Sequence, residues 1–247
     1  MKLDAFALTI TGRRNNNEDA VCARHDLGLY VVADGMGGYE GGEVASAIAV
    51  DSISELVRRT AGDADVTWPY AIDPACSPSE NELLVATRLA NDRIAARRSG
   101  ELREMGSTVV ALRITGERAI VAHVGDSRLY RLRAGELAQL TNDHSLAAQL
   151  EASGMKVEAD FQWRHVVTRA LGTQLGEPDV QSLPIRAGDT FLLCSDGLSE
   201  VLAPTTIAAL LADAATCSAE LACRALVDAA YSAGSRDNIS AIVVRAA

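Results

Sequence analysis

STVVALRI (Ser107–Ile114), RAIVAHVGDS (Arg118–Ser127) and RLYRLRAGELAQL (Arg128–Leu140) follow one another with little more than turn formers between them. Each run is rich in Val, Ile, Leu or Tyr, and Thr115-Gly116-Glu117 and Ala134-Gly135-Glu136 interrupt them. They read as consecutive strands with tight turns. Strands joined that closely form an antiparallel sheet, because parallel neighbours need a long crossover between them. Upstream, LDAFALTIT and AVCARHDLGLYVVAD also read as strands, the second folded at His25-Asp26-Leu27-Gly28. Glu43 to Arg59 and Glu80 to Arg98 repeat apolar residues near the helical period and predict amphipathic helices. The stretch between them, with Gly62, Pro69, Pro74 and Pro78, is a connection. Downstream, a short helix is expected from Asp143 to Gly154 and a surface loop from Met155 to His165. Strands near Val180–Ile185 and Thr190–Ser195, helices near Pro204–Leu211 and Ala219–Ala233, and a last strand at Ile239–Arg245 complete the chain. Strands and helices come in blocks and not in strict alternation, which points to an α+β layered domain rather than a doubly wound parallel sheet. No repeat or linker divides residues 1–247, so one domain is expected.

With 247 residues, 48% of them hydrophobic and 23% charged, the chain can bury a large core, which excludes disorder. The formal net charge of -10 argues against nucleic acid or an anionic membrane as partner. The apolar runs are strand-sized or broken by Arg and Asp, so the chain reads as soluble and cytoplasmic. Five cysteines without C-x-x-C spacing, Cys22, Cys76, Cys194, Cys217 and Cys223, read as free thiols.

Acidic residues stand where strand-like runs begin or end: Glu18-Asp19 after NNN, Asp34 in VVADGMGG, Asp196 in LLCSDG, Asp237 in RDN. Taken singly, each is also readable as a turn or a helix cap. Together they are what a hard-metal site needs, carboxylates brought to strand ends from distant segments. The glycines after Asp34 allow a sharp turn that leaves the Gly35 carbonyl free to face a cation.

Eight motifs then occur in order: Arg14-x-x-Asn17-Glu18-Asp19, Asp34-Gly35-Met36-Gly37-Gly38, Met105-Gly106-Ser107-Thr108, Gly125-Asp126-Ser127-Arg128, Asp143-His144-Ser145, Arg169-Ala170-Leu171-Gly172, Ser195-Asp196-Gly197 and Asp237-Asn238. In this series the chain resembles the PP2C-type (PPM) metal-dependent serine/threonine phosphatases, from about Thr11 to the C-terminus. The resemblance implies a four-layer α-β-β-α sandwich of two antiparallel sheets, with a two-metal site at one edge. It makes Asp34 the bridging ligand, gives Asp196 and Asp237 to the first ion and the Gly35 carbonyl to the second, and lets Glu18 and Asp19 orient waters. Asp126 would join Asp196 on a weaker third ion, or else be a hairpin Asp-Ser turn. Arg14 would grip the phosphate. An all-oxygen set suits Mn2+ or Mg2+ and not zinc, and a water bridging two such ions would attack phosphorus in line. The implied substrates are phosphoserine and phosphothreonine in proteins, a serine/threonine kinase and its targets among them, handled by a monomer. A phosphoprotein-binding module with weak catalysis, or an enzyme dedicated to one regulator or secretion-system component, are the alternatives.

Departures from the pattern bear on proton transfer. Met36 stands where many eukaryotic members carry a histidine, and Tyr39 where many bacterial ones do. That leaves an ion-held water, solvent or Tyr39 to protonate the leaving alcohol. The Met155–His165 loop matches the variable flap beside the cleft and lacks the His-Pro pair that relatives often show there. Phe161 and Trp163 are read as packing the flap onto its own domain, with contact to a substrate peptide as the alternative. His25, His123, His144 and His165 are not spaced as ligands and are read as structural.

Overall fold

The computed structural model describes residues 2–37, 41–61, 67–158, 161–213 and 218–247. Its strands are β1 (Leu3–Ile10), β2 (Asp19–Arg24), β3 (Leu29–Met36), β4 (Gly106–Ser107), β5 (Val109–Thr115), β6 (Arg118–Val124), β7 (Arg128–Arg133), β8 (Glu136–Gln139), β9 (Asp179–Pro184), β10 (Thr190–Cys194) and β11 (Ile239–Ala246). The helices are α1 (Gly41–Thr60), α2 (Pro78–Arg97), α3 (Leu146–Ala152), α4 (Asp196–Ser199), α5 (Pro204–Asp213) and α6 (Ala219–Ser232).

Two antiparallel sheets form, in the orders β1-β11-β10-β7-β8 and β2-β3-β5-β6-β9, with β4 added to β3. Period-2 alternation explains the layering. On β3, Leu29, Val31 and Ala33 pack with α1 and α2, whereas Tyr30 and Val32 meet Phe191, Leu193, Ile242 and Val244 of the facing sheet. The other faces of β10 and β11 bury Leu192, Cys194, Ala241 and Val243 against α4, α5 and α6. The strands are therefore apolar on both faces, as strands inside a four-layer α-β-β-α sandwich must be. Phe191, at 1% exposure, fills the space between the sheets. Phe191→Ala should cost about 3–5 kcal/mol, read as a lower urea midpoint at unchanged slope.

Local signals set several boundaries. Ser77 and Glu80 form a reciprocal capping box with Pro78 in the first turn of α2. Ala134 (φ 51°) and Gly135 (φ 84°) make the tight β7–β8 turn. Two expectations change. The helix expected from Asp143 begins at Leu146, capped by Ser145, because Asp143 is held instead by Arg128, with Nη2 donating to Oδ2 at 2.6 Å. The three opening runs do not share one sheet: β5 and β6 pair in one, while β7 pairs with β10 in the other. Gly125-Asp126-Ser127 is therefore a crossing between sheets and not a hairpin. Gly125 has φ +102°, and a Cβ there would lie 2.6 Å from the Thr108 side chain, so only glycine fits the crossing.

Cys194 and Cys223 are buried, Cys22 and Cys76 half-buried, and all four are free; Cys217 lies outside the described residues. Among the described residues no helix is long and apolar enough to cross a membrane.

Candidate active site

The end of β10, the start of β11 and the end of β3 meet at one edge of the sandwich. In the β2–β3 ladder Asp19 stands directly opposite Asp34, a pairing of like charges that destabilises a sheet unless something neutralises it. Asp19 reaches into the other sheet, where its Oδ2 accepts from Ser195 Oγ (2.9 Å) and Ser240 Oγ (2.6 Å). Its Oδ1 is buried with no partner. Ser195 N-caps the short helix α4, and the next residue, Asp196, comes within hydrogen-bonding reach of Asp34. Asp196 Oδ1 is likewise buried without a partner.

The backbone of Asp34 is fixed by the next strand in the sheet. Its N–H donates to Thr108 Oγ1 (3.2 Å), and its carbonyl accepts from Thr108 N (2.8 Å) and Ser107 Oγ (3.1 Å). A Cβ at Gly35 would fall 1.9 Å from the Gly42 carbonyl oxygen and 2.7 Å from that of Glu18. A Cβ at Gly42 would be 2.9 Å from both the Gly35 carbonyl oxygen and Glu18 Oε2. These glycines thus let Glu18 and the Gly35 carbonyl crowd against the start of α1.

Asp237 and Asn238 fasten the N-terminal loop. Asn238 Oδ1 accepts from Glu18 N (2.8 Å), and Nδ2 donates to the carbonyls of Thr11 and Asn16 (2.9 Å each). Arg14 Nη2 donates to Asp237 Oδ2 at 2.6 Å and Nε to the Arg236 carbonyl at 3.1 Å. The guanidinium is half exposed, so the cluster's nearest cation is also open to a ligand.

Burial, and then mutual repulsion, push these acids upward. Asp19 rises to about 7, against the pull of the two serine hydroxyls. Asp34 lies well above the carboxylate range, from burial and the charges of Asp19, Asp196, Asp126 and Asp237. Asp196 is raised by burial and Asp237, and Glu18 by burial, with Asn16 and Arg14 opposing. Asp126, 8% exposed at the crossing between sheets, rises to about 7 through burial and the Asp196 charge. Two touching carboxyls and two orphaned oxygens in one pocket of acids call for a proton or a cation.

Glu18, Asp19, Asp34, Gly35, Asp196 and Asp237 are thus brought together, with Asp126 within electrostatic reach and Arg14 alongside. Gly38 and Tyr39, the latter a candidate donor, lie outside the described residues. Phe161 and Trp163 pack edge to face on each other, with Trp163 exposed. Met36 closes β3 opposite Gly106.

The histidines are less scattered than their sequence spacing implies. His123, His144 and Asp179 place donor atoms within 4.8 Å of one another, the one such three-residue group among the described residues. Its hydrogen bonds speak against an ion there. Gly125 N donates to His144 Nδ1 (3.0 Å), and Nε2 is shared between Asp179 Oδ2 (3.1 Å) and Arg169 Nη1 (2.9 Å). Arg169 already brings a positive charge to Asp179 at 2.9 Å. The group joins the base of the flap to the Asp126 crossing.

Ser240 and Glu200 belong to the site or its rim and were not singled out from the sequence; Ser195 and Thr108 were quoted only as parts of motifs, and His165 was read as structural. His165 Nδ1 contacts Glu200 Oε1, and no local pattern joins residues so far apart in the chain.

The sequence profile of the protein phosphatase 2C family matches residues 11–234. The serine/threonine protein phosphatase PstP of Mycobacterium tuberculosis is 35% identical over 235 residues, covering 93% of this chain but 42% of PstP, so the chain spans less than half of that relative. The crystal structure of the PstP catalytic domain in complex with two manganese ions superposes with a TM-score of 0.81 at 34% identity, covering 98% of this chain and 97% of that one. PppA, a key regulatory component of the type VI secretion system in Pseudomonas aeruginosa, gives a TM-score of 0.81 at 32% identity over 100% of this chain and 99% of its own. With the family profile matched over residues 11–234 and the fold shared with solved relatives, the chain belongs to the protein phosphatase 2C family.

Proposed function

We propose that residues 1–247 form a single-domain, metal-dependent phosphatase that hydrolyses phosphoserine and phosphothreonine in proteins. The observation that carries this reading is the cluster of mutually repelling acids in which Asp19 Oδ1 and Asp196 Oδ1 are buried without partners. Asp34, Asp196 and Asp237 would hold one ion, Asp34 and the Gly35 carbonyl a second, and Asp126 with Asp196 a weaker third. The oxygen-only donor set fits Mn2+ or Mg2+, and the two manganese ions of the PstP catalytic domain support it. When bound, such ions would supply charge neutralisation to the phosphoryl oxygens and make water at the site more acidic.

The chain's own residues do the rest. Arg14 exchanges its contact with Asp237 for two oxygens of the phosphate, which its planar guanidinium matches. Asp19, clamped by Ser195 and Ser240, presents Oδ1 to orient the attacking water, and Glu18 does the same from the N-terminal loop. Asn238 keeps that loop, and so Arg14, in register with Asp237.

We place the protein in the cytoplasm as a monomer, opposing a serine/threonine kinase. The likeness to PppA supports a second reading of the substrate, a single regulator of a secretion apparatus. With Mn2+ present, the protein should release phosphate from a phosphothreonine peptide, and excess chelator should abolish this reversibly. Chelator-resistant turnover would contradict the reading, and peptide binding without turnover would favour a binding module.

A further inference from the structure

A cavity of about 270 Å³ opens beside the acidic edge, lined among others by Asp126, Asp196, Ser199, Glu200, Arg164 and His165. It joins the acidic site to the flap. Asp196 begins α4 and Glu200 caps its C-terminal end, with Glu200 N donating to the Asp196 carbonyl at 2.8 Å. Residues four apart in a helix share a face and are separated by about 6 Å of rise. Glu200 therefore stands one turn from Asp196, on the same side. The flap delivers His165 onto it, Nδ1 against Glu200 Oε1.

That contact has a chemical sense. A carboxylate on Nδ1 orients the imidazole and leaves Nε2 as the nitrogen available to a ligand. The other charged residues lining the cavity are Asp126, Asp196, Glu151, Arg164 and the ion pair Arg128–Asp143. The ring is 59% exposed, so it can recover a proton from solvent after each turnover. This chain has Met36 and Tyr39 where members of the resembled family often carry a histidine, yet a serine or threonine alkoxide is too basic to leave unprotonated.

We propose that His165, held by Glu200, is the catalytic general acid that protonates the departing serine or threonine oxygen. This rests on the phosphatase reading above. The bond from the attacking water oxygen to phosphorus forms as the phosphorus–ester bond breaks. The electron pair of the broken bond goes to the ester oxygen, which takes the Nε2 proton. The attacking water gives its proton to solvent, the products are a neutral alcohol and inorganic phosphate, and the imidazole is reprotonated from water.

The test compares two esters with Mn2+ present. Aryl phosphates leave as stable anions and need no acid, whereas alkyl esters do. His165→Gln should lower kcat on a phosphothreonine peptide on the order of 100-fold while leaving p-nitrophenyl phosphate nearly unchanged. It should also remove the alkaline fall of the peptide pH profile. Glu200→Gln should lower peptide turnover more than p-nitrophenyl phosphate turnover, because the imidazole loses the carboxylate that orients it. Equal losses on both esters, or full peptide activity in His165→Gln, would overturn the proposal. A parent protein that hydrolyses neither ester would overturn the phosphatase reading instead.

Discussion

An Asp34→Asn protein turns over a phosphothreonine peptide at least about a thousandfold more slowly than the parent, yet melts no lower once both are stripped of metal. Two consequences of one charge are separated here. The carboxylate would bridge two cations, and losing several kcal/mol of charge stabilisation in the transition state corresponds to that rate factor. In the metal-free fold the same carboxylate is a liability. It faces Asp19 across the ladder and touches Asp196, so a neutral amide of the same shape relieves repulsion. Single-turnover kinetics and thermal melts with chelator measure the two effects. A variant that keeps activity, or one that loses it only by unfolding, contradicts the assignment.

The metal-free protein loses stability as pH rises from about 4 to about 7. Asp19 and Asp126 bind protons in the folded state up to about 7 because they are buried, whereas in the unfolded chain they release them near 3.8. Between those limits the native state holds more protons, so the slope of stability against pH is negative. Mn2+ reverses the trend, since it competes with protons for the same oxygens and binds best when they are ionised. At a hundredfold excess over its Kd it adds about 2.7 kcal/mol, about 5–10 °C in Tm for a chain of this size. Melts with and without Mn2+ from pH 5 to 8 should therefore diverge toward the alkaline end.

The two-sheet architecture was partly legible. Val- and Ile-rich runs marked the strands, and capping residues such as Ser77 and Glu80 marked helix starts. Which sheet a strand joins was not legible, because β6 and β7 are separated by a Gly-Asp-Ser turn whose composition also suits a hairpin. Only the packing of Gly125 on Thr108 reveals a crossing. Helix α4 was missed because Asp196 to Ser199 is a single turn, too short to show a period.

At the site, the acids announced themselves by standing at strand ends, and the order of motifs gathered them. The residues that position them did not. Ser240 lies in the apolar text of β11, and its hydroxyl matters only because β2 brings Asp19 across from the other sheet. His165 and Glu200 meet through the path of the flap, which no periodicity encodes.

Anomalous diffraction from crystals soaked in Mn2+ tests the central claim most directly. Two strong peaks are predicted at the acidic edge, one among Asp34, Asp196 and Asp237 and one beside Asp34 and the Gly35 carbonyl. An acidic edge without peaks, or manganese bound instead by His123, His144 and Asp179, would contradict it.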